Sequence, residues 1–221
     1  IQPKMRDDLI EAEKLKQQLS LNLLQQQVNP HFLYNTLDNI CALAELDEKE
    51  TLIQLVMNLS SFYRSSLSNG KMHISIGQEL EISRAYLEIL QIRYFHKFDF
   101  TITCPEALKN YSCIKLLLQP ILENSIYHGI KGLDRHGILH IEAEDAGDCI
   151  RFTISDNGRG FSKEDYEKIW QQDADHFGIK SIQQRILLYY GPGYGLSMES
   201  PQTGGCITVI TLPKQEGLPC H

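Results

Sequence analysis

His31 follows Asn29-Pro30 in the stretch QQQVNPHFLYNTLDNI, residues 25–40. Read as a helix, this stretch sets His31, Asn35, Asp38 and Asn39 on one polar stripe. Leu33, Leu37, Ile40 and Ala44 recur on another face, with Tyr34 and Cys41 beside them. The pattern predicts an imidazole held on the outside of a packed helix, where it can meet another molecule. A lone surface histidine is more often inert. A second set of residues far downstream weighs against that reading.

That set has two clusters. The first is Glu123-Asn124, followed one turn later by His128-Gly129. An amide oxygen and a carboxylate on one helix edge can hold Mg²⁺ directly or through water, because the ion takes few protein oxygens besides phosphate oxygens. The same residues also read as an ordinary helix end. The second is Asp156-Asn157-Gly158-Arg159-Gly160-Phe161, after an apolar strand. A carboxylate at a strand end can accept a hydrogen bond from the exocyclic amine of a purine. The two glycines allow positive φ and leave room for a base to approach the backbone. Asp-Asn-Gly alone is also a common turn. The order of the two clusters, with a hairpin between them, favours a nucleotide site.

The elements that must position these groups fall into two halves. Residues 5–27 read as one helix without Gly or Pro. Met5, Leu9, Ala12, Lys16, Leu19, Leu23 and Gln26 form a heptad seam, imperfect at Lys16 and Gln26, which predicts an incoming parallel coiled coil. Pro30 predicts a bend just before His31. A second helix is expected from Glu48 to Leu67, with Leu52, Leu55, Val56, Leu59, Phe62 and Tyr63 on its apolar face, and Asn69-Gly70 as its stop signal. It would pair with the His31 helix as a hairpin, and two hairpins would make a four-helix bundle by dimerisation. A third helix is expected from Ile76 to Tyr94. The period then changes. Phe98–Cys104 reads as a strand, 114–130 as an apolar helix, and Ile138–Glu144 with Cys149–Ser155 as a hairpin turning at Ala146-Gly147-Asp148. Helices over Lys163–Trp170 and Gly178–Tyr190 and strands over Tyr194–Glu199 and Cys206–Leu212 complete an α+β layer on a mainly antiparallel sheet.

Composition narrows the function classes. The 221 residues carry a net charge of -7 and no dense Lys/Arg run, which argues against a grip on nucleic acid phosphates. The six cysteines, Cys41, Cys104, Cys113, Cys149, Cys206 and Cys220, form no CxxC pair and read as reduced, small apolar residues. His136 and His140 have ligand-like spacing, but Gly137 interrupts the helix and no cysteine joins them. No apolar run reaches transmembrane length and no signal-peptide pattern occurs. The piece is expected to be soluble and excised from a longer membrane protein.

QQVNPHFLYNTLDNI, LLLQPILENSIYHGI, DNGRGF, FGIKSIQQRI and GGCITVITLP together resemble the phosphoacceptor segment, N box, two glycine boxes and closing strand of sensor histidine kinases, and more narrowly the LytS/YehU-type branch. The resemblance covers nearly the whole chain. It implies an incoming coiled coil over 1–28, a helical dimerisation and phosphotransfer module over 29–96, a Bergerat-type (GHKL) ATP-binding α/β sandwich over 97–215, and a tail over 216–221. It implies ATP and Mg²⁺ as cofactors, a homodimer, a cognate response regulator as partner, and attachment to a membrane through an N-terminal sensor region. By position, His31 would be the phosphoacceptor. Asn124 would coordinate Mg²⁺, and Glu123 would order a metal-bound water or assist proton removal. His128 would lie near the phosphates and Asp156 would bind the adenine amino group. Gly158 and Gly160 would shape the base pocket, Gly178 would open the helix below the phosphates, and Thr208 would line the adenine side.

Three positions depart from the family pattern. Phe32 stands where many histidine kinases carry an acid after the phosphoacceptor; Asn35, one turn on, can orient the imidazole but is a poor base. Tyr127 replaces a frequent Lys in the N box, so the cationic phosphate contact would come from Lys131 or Arg185. The second glycine box, Asp175-His176-Phe177-Gly178, supplies one glycine, so modest nucleotide affinity is expected. Rival readings are an ATPase or serine kinase on the same fold, and a degenerate scaffold that dimerises and binds nucleotide weakly.

Overall fold

The computed structural model describes residues 30–66, 72–170 and 177–216. The heptad seam over 5–27, the stop signal at Asn69-Gly70, Asp175-His176, Cys220 and the end of the tail lie outside the described residues. The chain divides into two compact units, residues 1–49 and 50–221.

The described part of the first unit is helix α1, Pro30–Glu45, and the turn that follows it. Proline is suited to a first helical position because its missing N–H needs no partner there. The bend expected before His31 concerns residues outside the description. Which face of α1 is buried differs from the expectation. Phe32 and Thr36, one turn apart, are the buried pair, and the Thr36 hydroxyl donates to the Phe32 carbonyl at 2.7 Å. Tyr34 and Leu37 stay exposed, at 67% and 44%. Of the Leu33–Leu37–Ile40 stripe, Leu37 is exposed and the other two are half-buried.

The second unit holds the remainder of helix α2, Lys49–Ser66, and everything after it. Strand β1, His73–Ser75, was not legible as a strand because it has three residues. It pairs antiparallel with β3, Ser112–Ile114. Helix α3, Ile76–Arg93, begins with a capping box. The Gln78 amide donates to the Ser75 hydroxyl at 3.2 Å and the Ser75 amide to the Gln78 side chain at 3.1 Å. Phe62 of α2 meets Tyr86 of α3 with ring centroids 5.8 Å apart.

Five strands make the main sheet: β2 (Phe98–Thr103), β4 (Gly137–Asp145), β5 (Cys149–Asp156), β6 (Gly195–Glu199) and β7 (Cys206–Pro213). Their order is β2-β4-β5-β7-β6. The β2–β4 pair is parallel and the others antiparallel. Period-2 alternation puts Leu139, Ile141 and Ala143, Ile150, Phe152 and Ile154, and Ile210 and Leu212 on one buried face. Residues Leu87, Leu90, Ile121, Ile126, Ile182 and Ile186 of the helices complete that core. The helix expected over 114–130 starts late. Residues 115–118 form a turn, α4 covers Gln119–Asn124, and Ser125–Ile130 widen into a π turn closed by the Lys131 amide on the Ile126 carbonyl at 2.8 Å. Helices α5 (Lys163–Trp170) and α6 (Phe177–Tyr190) follow β5.

Candidate functional site

The register of β5 sets the floor of the site. Asp156 ends the strand opposite Leu139 on β4 and Cys206 on β7. Asn157 then takes over as a backbone mimic. Its Oδ1 accepts the Ile138 amide at 2.7 Å and its Nδ2 donates to the His136 carbonyl at 3.1 Å, which pins the loop. The Gly158 amide donates to Asp156 Oδ1 at 2.9 Å. A Cβ on Gly158 would lie 2.6 Å from both that oxygen and the Gly129 Cα, so only glycine allows the loop to rest on the π turn. The Arg159 amide closes the contact on the Gly129 carbonyl at 3.2 Å. Gly160 sits at φ 72° against Ser200 and Gly205.

Above this floor lies a cleft of about 320 Å³. One wall is Asn124, Ser125, His128 and Gly129; the other is Asp156, Arg159, Gly160 and Phe161, with Asp165 and Cys206 at its margins. Asn124 with His128 and Ser125 with Gly129 are each one turn apart, so one edge of the segment ending in the π turn supplies that wall. Such turns recur at functional sites. Asp156 carries the electrostatic signature. Burial raises its carboxyl above the usual range, partly offset by the Ser125 hydroxyl and the Gly158 and Cys206 amides. Its Oδ2 is buried without a hydrogen-bond partner. Asp156 itself lines the cleft, and an unmet acceptor on a lining residue is a place for a ligand donor. Beside it, burial pushes the Cys206 thiol up to about 11, so it packs as a neutral apolar group.

The structure brings together Asn124, His128, Asp156 and Gly160 in the cleft, with Gly158 beneath it. Other expected site residues lie elsewhere. Burial raises the phenols of Tyr86 and Tyr94, and the charge of half-buried Glu123 adds to it; Glu123 does not line the cleft. Lys131 places its ammonium over the Tyr127 ring at 5.7 Å. Arg185 is 8% exposed and donates to the carbonyls of Lys115 and Leu116. Neither is among the residues that line the cleft. Thr208 is buried next to Cys206, its Oγ1 3.6 Å from the thiol, one pleat behind the cleft lining. Gly178 lies on the first turn of α6, where a Cβ would come 3.2 Å from Pro120. Arg159 is the one lysine or arginine among the described lining residues. It stands between the two glycines of the motif, so its place was visible and its role was not. Ser125, Phe161, Asp165 and Cys206 were missed because each is marked only by adjacency to a motif.

In the first unit, His31 is exposed, and the Asn35 amide stands 3.1 Å from its Nδ1. On the outer sheet face His136 meets Asp99 at 3.0 Å and His140 meets Thr101 at 2.5 Å, two separate pairs.

Residues 19–98 match the model of a family described as histidine kinase. Residues 111–216 match that of histidine kinase-, DNA gyrase B-, and HSP90-like ATPases. The chain is 32% identical over 209 residues to the sensor histidine kinase YesM of Bacillus subtilis, covering 95% of this chain and 36% of that protein. It is 33% identical over 181 residues to the sensor histidine kinase BtsS of Escherichia coli (82% and 31%). It is 28% identical over 207 residues to the sensor histidine kinase/phosphatase LytS of Staphylococcus aureus (89% and 35%). It thus spans about a third of the length of the curated relatives it matches. Among solved structures, the catalytic domain of histidine kinase ThkA superposes with TM-score 0.51 at 16% identity, over 66% of this chain and 97% of that one. ThkA in complex with the response regulator protein TrrA matches at TM-score 0.51 and 15% identity, over 96% of this chain and 66% of that one.

Proposed function

We propose that this chain, which belongs to the histidine kinase family, is the cytoplasmic output part of a membrane-bound sensor. It binds ATP in the cleft, phosphorylates His31, and passes the phosphoryl group to an aspartate of a response regulator. The observation that carries this reading is the buried, partnerless Oδ2 of Asp156 at the floor of a cleft walled by Asn124 and His128.

Asp156 Oδ2 accepts the exocyclic amine of adenine, while the Gly158 amide keeps Oδ1 in place. Phe161 and Cys206 supply apolar walls for the base, and Arg159 supplies the cation for the phosphates. The oxygen donors at the cleft, the Asn124 amide and the Asp165 carboxylate, suit Mg²⁺, which prefers oxygen ligands. Bound there, the ion would neutralise charge on the phosphates.

The Asn35 Nδ2 is placed 3.1 Å from His31 Nδ1, and attack through Nε2 needs that amide turned about. An amide presents either end at such a contact. With its oxygen toward the ring it accepts Nδ1–H and leaves the lone pair on Nε2. The Nε2 lone pair forms the new P–N bond as the bond from the γ-phosphorus to its bridging oxygen breaks, and ADP leaves with that electron pair. The ring then loses its Nδ1 proton to water. The partly exposed Leu33–Leu37–Ile40 stripe of α1 is the surface on which a second copy completes a helical bundle.

The test is incubation of the full chain and His31→Gln with γ-labelled ATP and Mg²⁺. Acid-labile, base-stable label on the wild type alone is expected. Equal labelling of both proteins would remove His31 from the mechanism. ATP binding without labelling of either would leave a nucleotide-binding scaffold.

A further inference from the structure

Helix α3 carries a line of side chains that the site does not use. Glu79, Tyr86 and Arg93 are spaced at i, i+7 and i+14, close to two helical turns per step, so they share one face. That face runs alongside the segment that builds one wall of the cleft. At its start Glu79, wholly buried, accepts the Leu116 amide at 2.8 Å and the Leu118 amide at 2.9 Å, one on each oxygen. In its middle Tyr86 is also wholly buried; burial raises its phenol, and the charge of Glu123, the neighbour of Asn124, adds to it. At its end Arg93 donates to the Tyr127 hydroxyl at 2.9 Å and lies 5.8 Å from that ring centroid. Glu79 thus holds the turn that leads into α4 and Arg93 holds the π turn that ends it, with buried Tyr86 between them on α3.

The turn that Glu79 grips is held from a second side. Arg185 of α6 donates to the carbonyls of Lys115 and Leu116, and the Tyr190 hydroxyl receives the Ile114 amide at 2.9 Å. Acid and base thus take the two polarities of one turn: Glu79 its N–H groups, Arg185 its carbonyls. Leu116 sits there at φ 55°, a conformation a leucine keeps only where its surroundings impose it. None of Glu79, Tyr86, Arg93 and Arg185 lines the cleft.

We propose that the Glu79–Tyr86–Arg93 line is a positioning device. It fixes the helix bearing Asn124 and His128 relative to α3, so that nucleotide affinity depends on where α3 stands. This rests on the reading of the cleft as a nucleotide site. The experiment is titration of a fluorescent ADP analogue, with Mg²⁺, into the full chain, Glu79→Gln and Tyr127→Phe, with circular dichroism and thermal unfolding measured on each. Glutamine offers one acceptor oxygen and turns an amide nitrogen toward a backbone N–H. Binding by Glu79→Gln on the order of tenfold weaker, in folded protein, is expected. Tyr127→Phe should weaken it a few fold. A merely structural role would lower the unfolding midpoint and leave the Kd of the folded protein unchanged; that result in Glu79→Gln overturns the proposal. If Glu79→Gln does not fold, Tyr127→Phe decides, and an unchanged Kd there overturns it. A wild-type chain that binds no analogue removes the nucleotide reading and this proposal together.

Discussion

Asp156 gives Oδ1 to the Gly158 amide at 2.9 Å and keeps Oδ2 buried with nothing to accept from. A buried acceptor left unmet costs roughly 1–3 kcal/mol, which a ligand donor at that point recovers. Asp156→Asn keeps an oxygen for Gly158 but turns an NH₂ toward the base, donor facing donor. ATP binding should weaken by roughly a hundredfold. The same NH₂ suits the O6 carbonyl of guanine, so preference for ATP over GTP should narrow. Calorimetric titration with both nucleotides checks this. Wild-type ATP affinity in Asp156→Asn would take the base-reading role away from Asp156.

The raised carboxyl of Asp156 sets the pH dependence. Base recognition needs the ionised form, so ADP affinity should fall on acidification at a pH above the ordinary Asp value of about 3.9. The stability effect has the opposite sense. A folded-state pKa above the unfolded one means the folded chain binds more protons between the two values. Its stability therefore falls as pH rises through that window. The penalty is complete above the folded pKa and absent below the unfolded one. At neutral pH the nucleotide-free Asp156→Asn chain should resist urea at least as well as the wild type. Urea unfolding of both proteins across the acid range tests the sign.

Much of the fold could be read from local chemistry. The helix expected over Ile76–Tyr94 is α3, and alternation in β4 and β5 with a Gly147 turn announces the hairpin. Asp156, Asn124 and His128 were legible because a carboxylate at a strand end and polar groups one helical turn apart are short-range patterns. The misplacements share a different cause. Arg185 and Glu123 carry charges that suit phosphate or proton transfer, yet tertiary packing turned one onto the carbonyls of Lys115 and Leu116 and the other toward Tyr86. Nothing in local sequence says which side of a helix meets the sheet when both sides are partly polar. On α1 the buried pair is Phe32 and Thr36, one apolar and one polar residue that no apolar stripe marks.

Glycines at positive φ separate into crowded and open sites. Gly160, at φ 72°, has no room for a Cβ between Ser200 and the Gly205 carbonyl oxygen 2.9 Å away, whereas Gly147, at φ 82°, has nothing within 4 Å. Gly147→Ala bears only backbone strain, about 1 kcal/mol. Gly160→Ala adds a clash and should cost about 3 kcal/mol, with nucleotide affinity lost as well. Urea unfolding and nucleotide titration of the two variants side by side give the comparison. Equal destabilisation would mean the Ser200–Gly205 wall yields freely.

Arg159 tests where the phosphate cation resides now that Lys131 stands over Tyr127 and Arg185 is buried. Arg159→Ala should weaken ATP about tenfold and leave adenosine unchanged, because only the phosphates lose a partner. Arg159→Lys keeps the charge and should recover most of the loss. Competition titrations with both ligands measure it. Equal losses for ATP and adenosine would place the guanidinium over the base instead.

Asn35 stands one helical turn from His31, with its amide 3.1 Å from Nδ1. A neutral imidazole has one lone pair, and the proton on Nδ1 decides that it lies on Nε2. Asn35→Ala leaves both tautomers and several ring rotamers open, so autophosphorylation should slow by roughly tenfold while ATP affinity stays put. Asn35→Asp accepts the same Nδ1–H more strongly and should restore the rate, which a purely steric role would not explain. Single-turnover labelling at saturating ATP separates the chemical step from binding. An Asn35→Ala chain that labels at the wild-type rate would show that His31 finds its tautomer without help, and the acceptor for Nδ1–H would have to be sought in water.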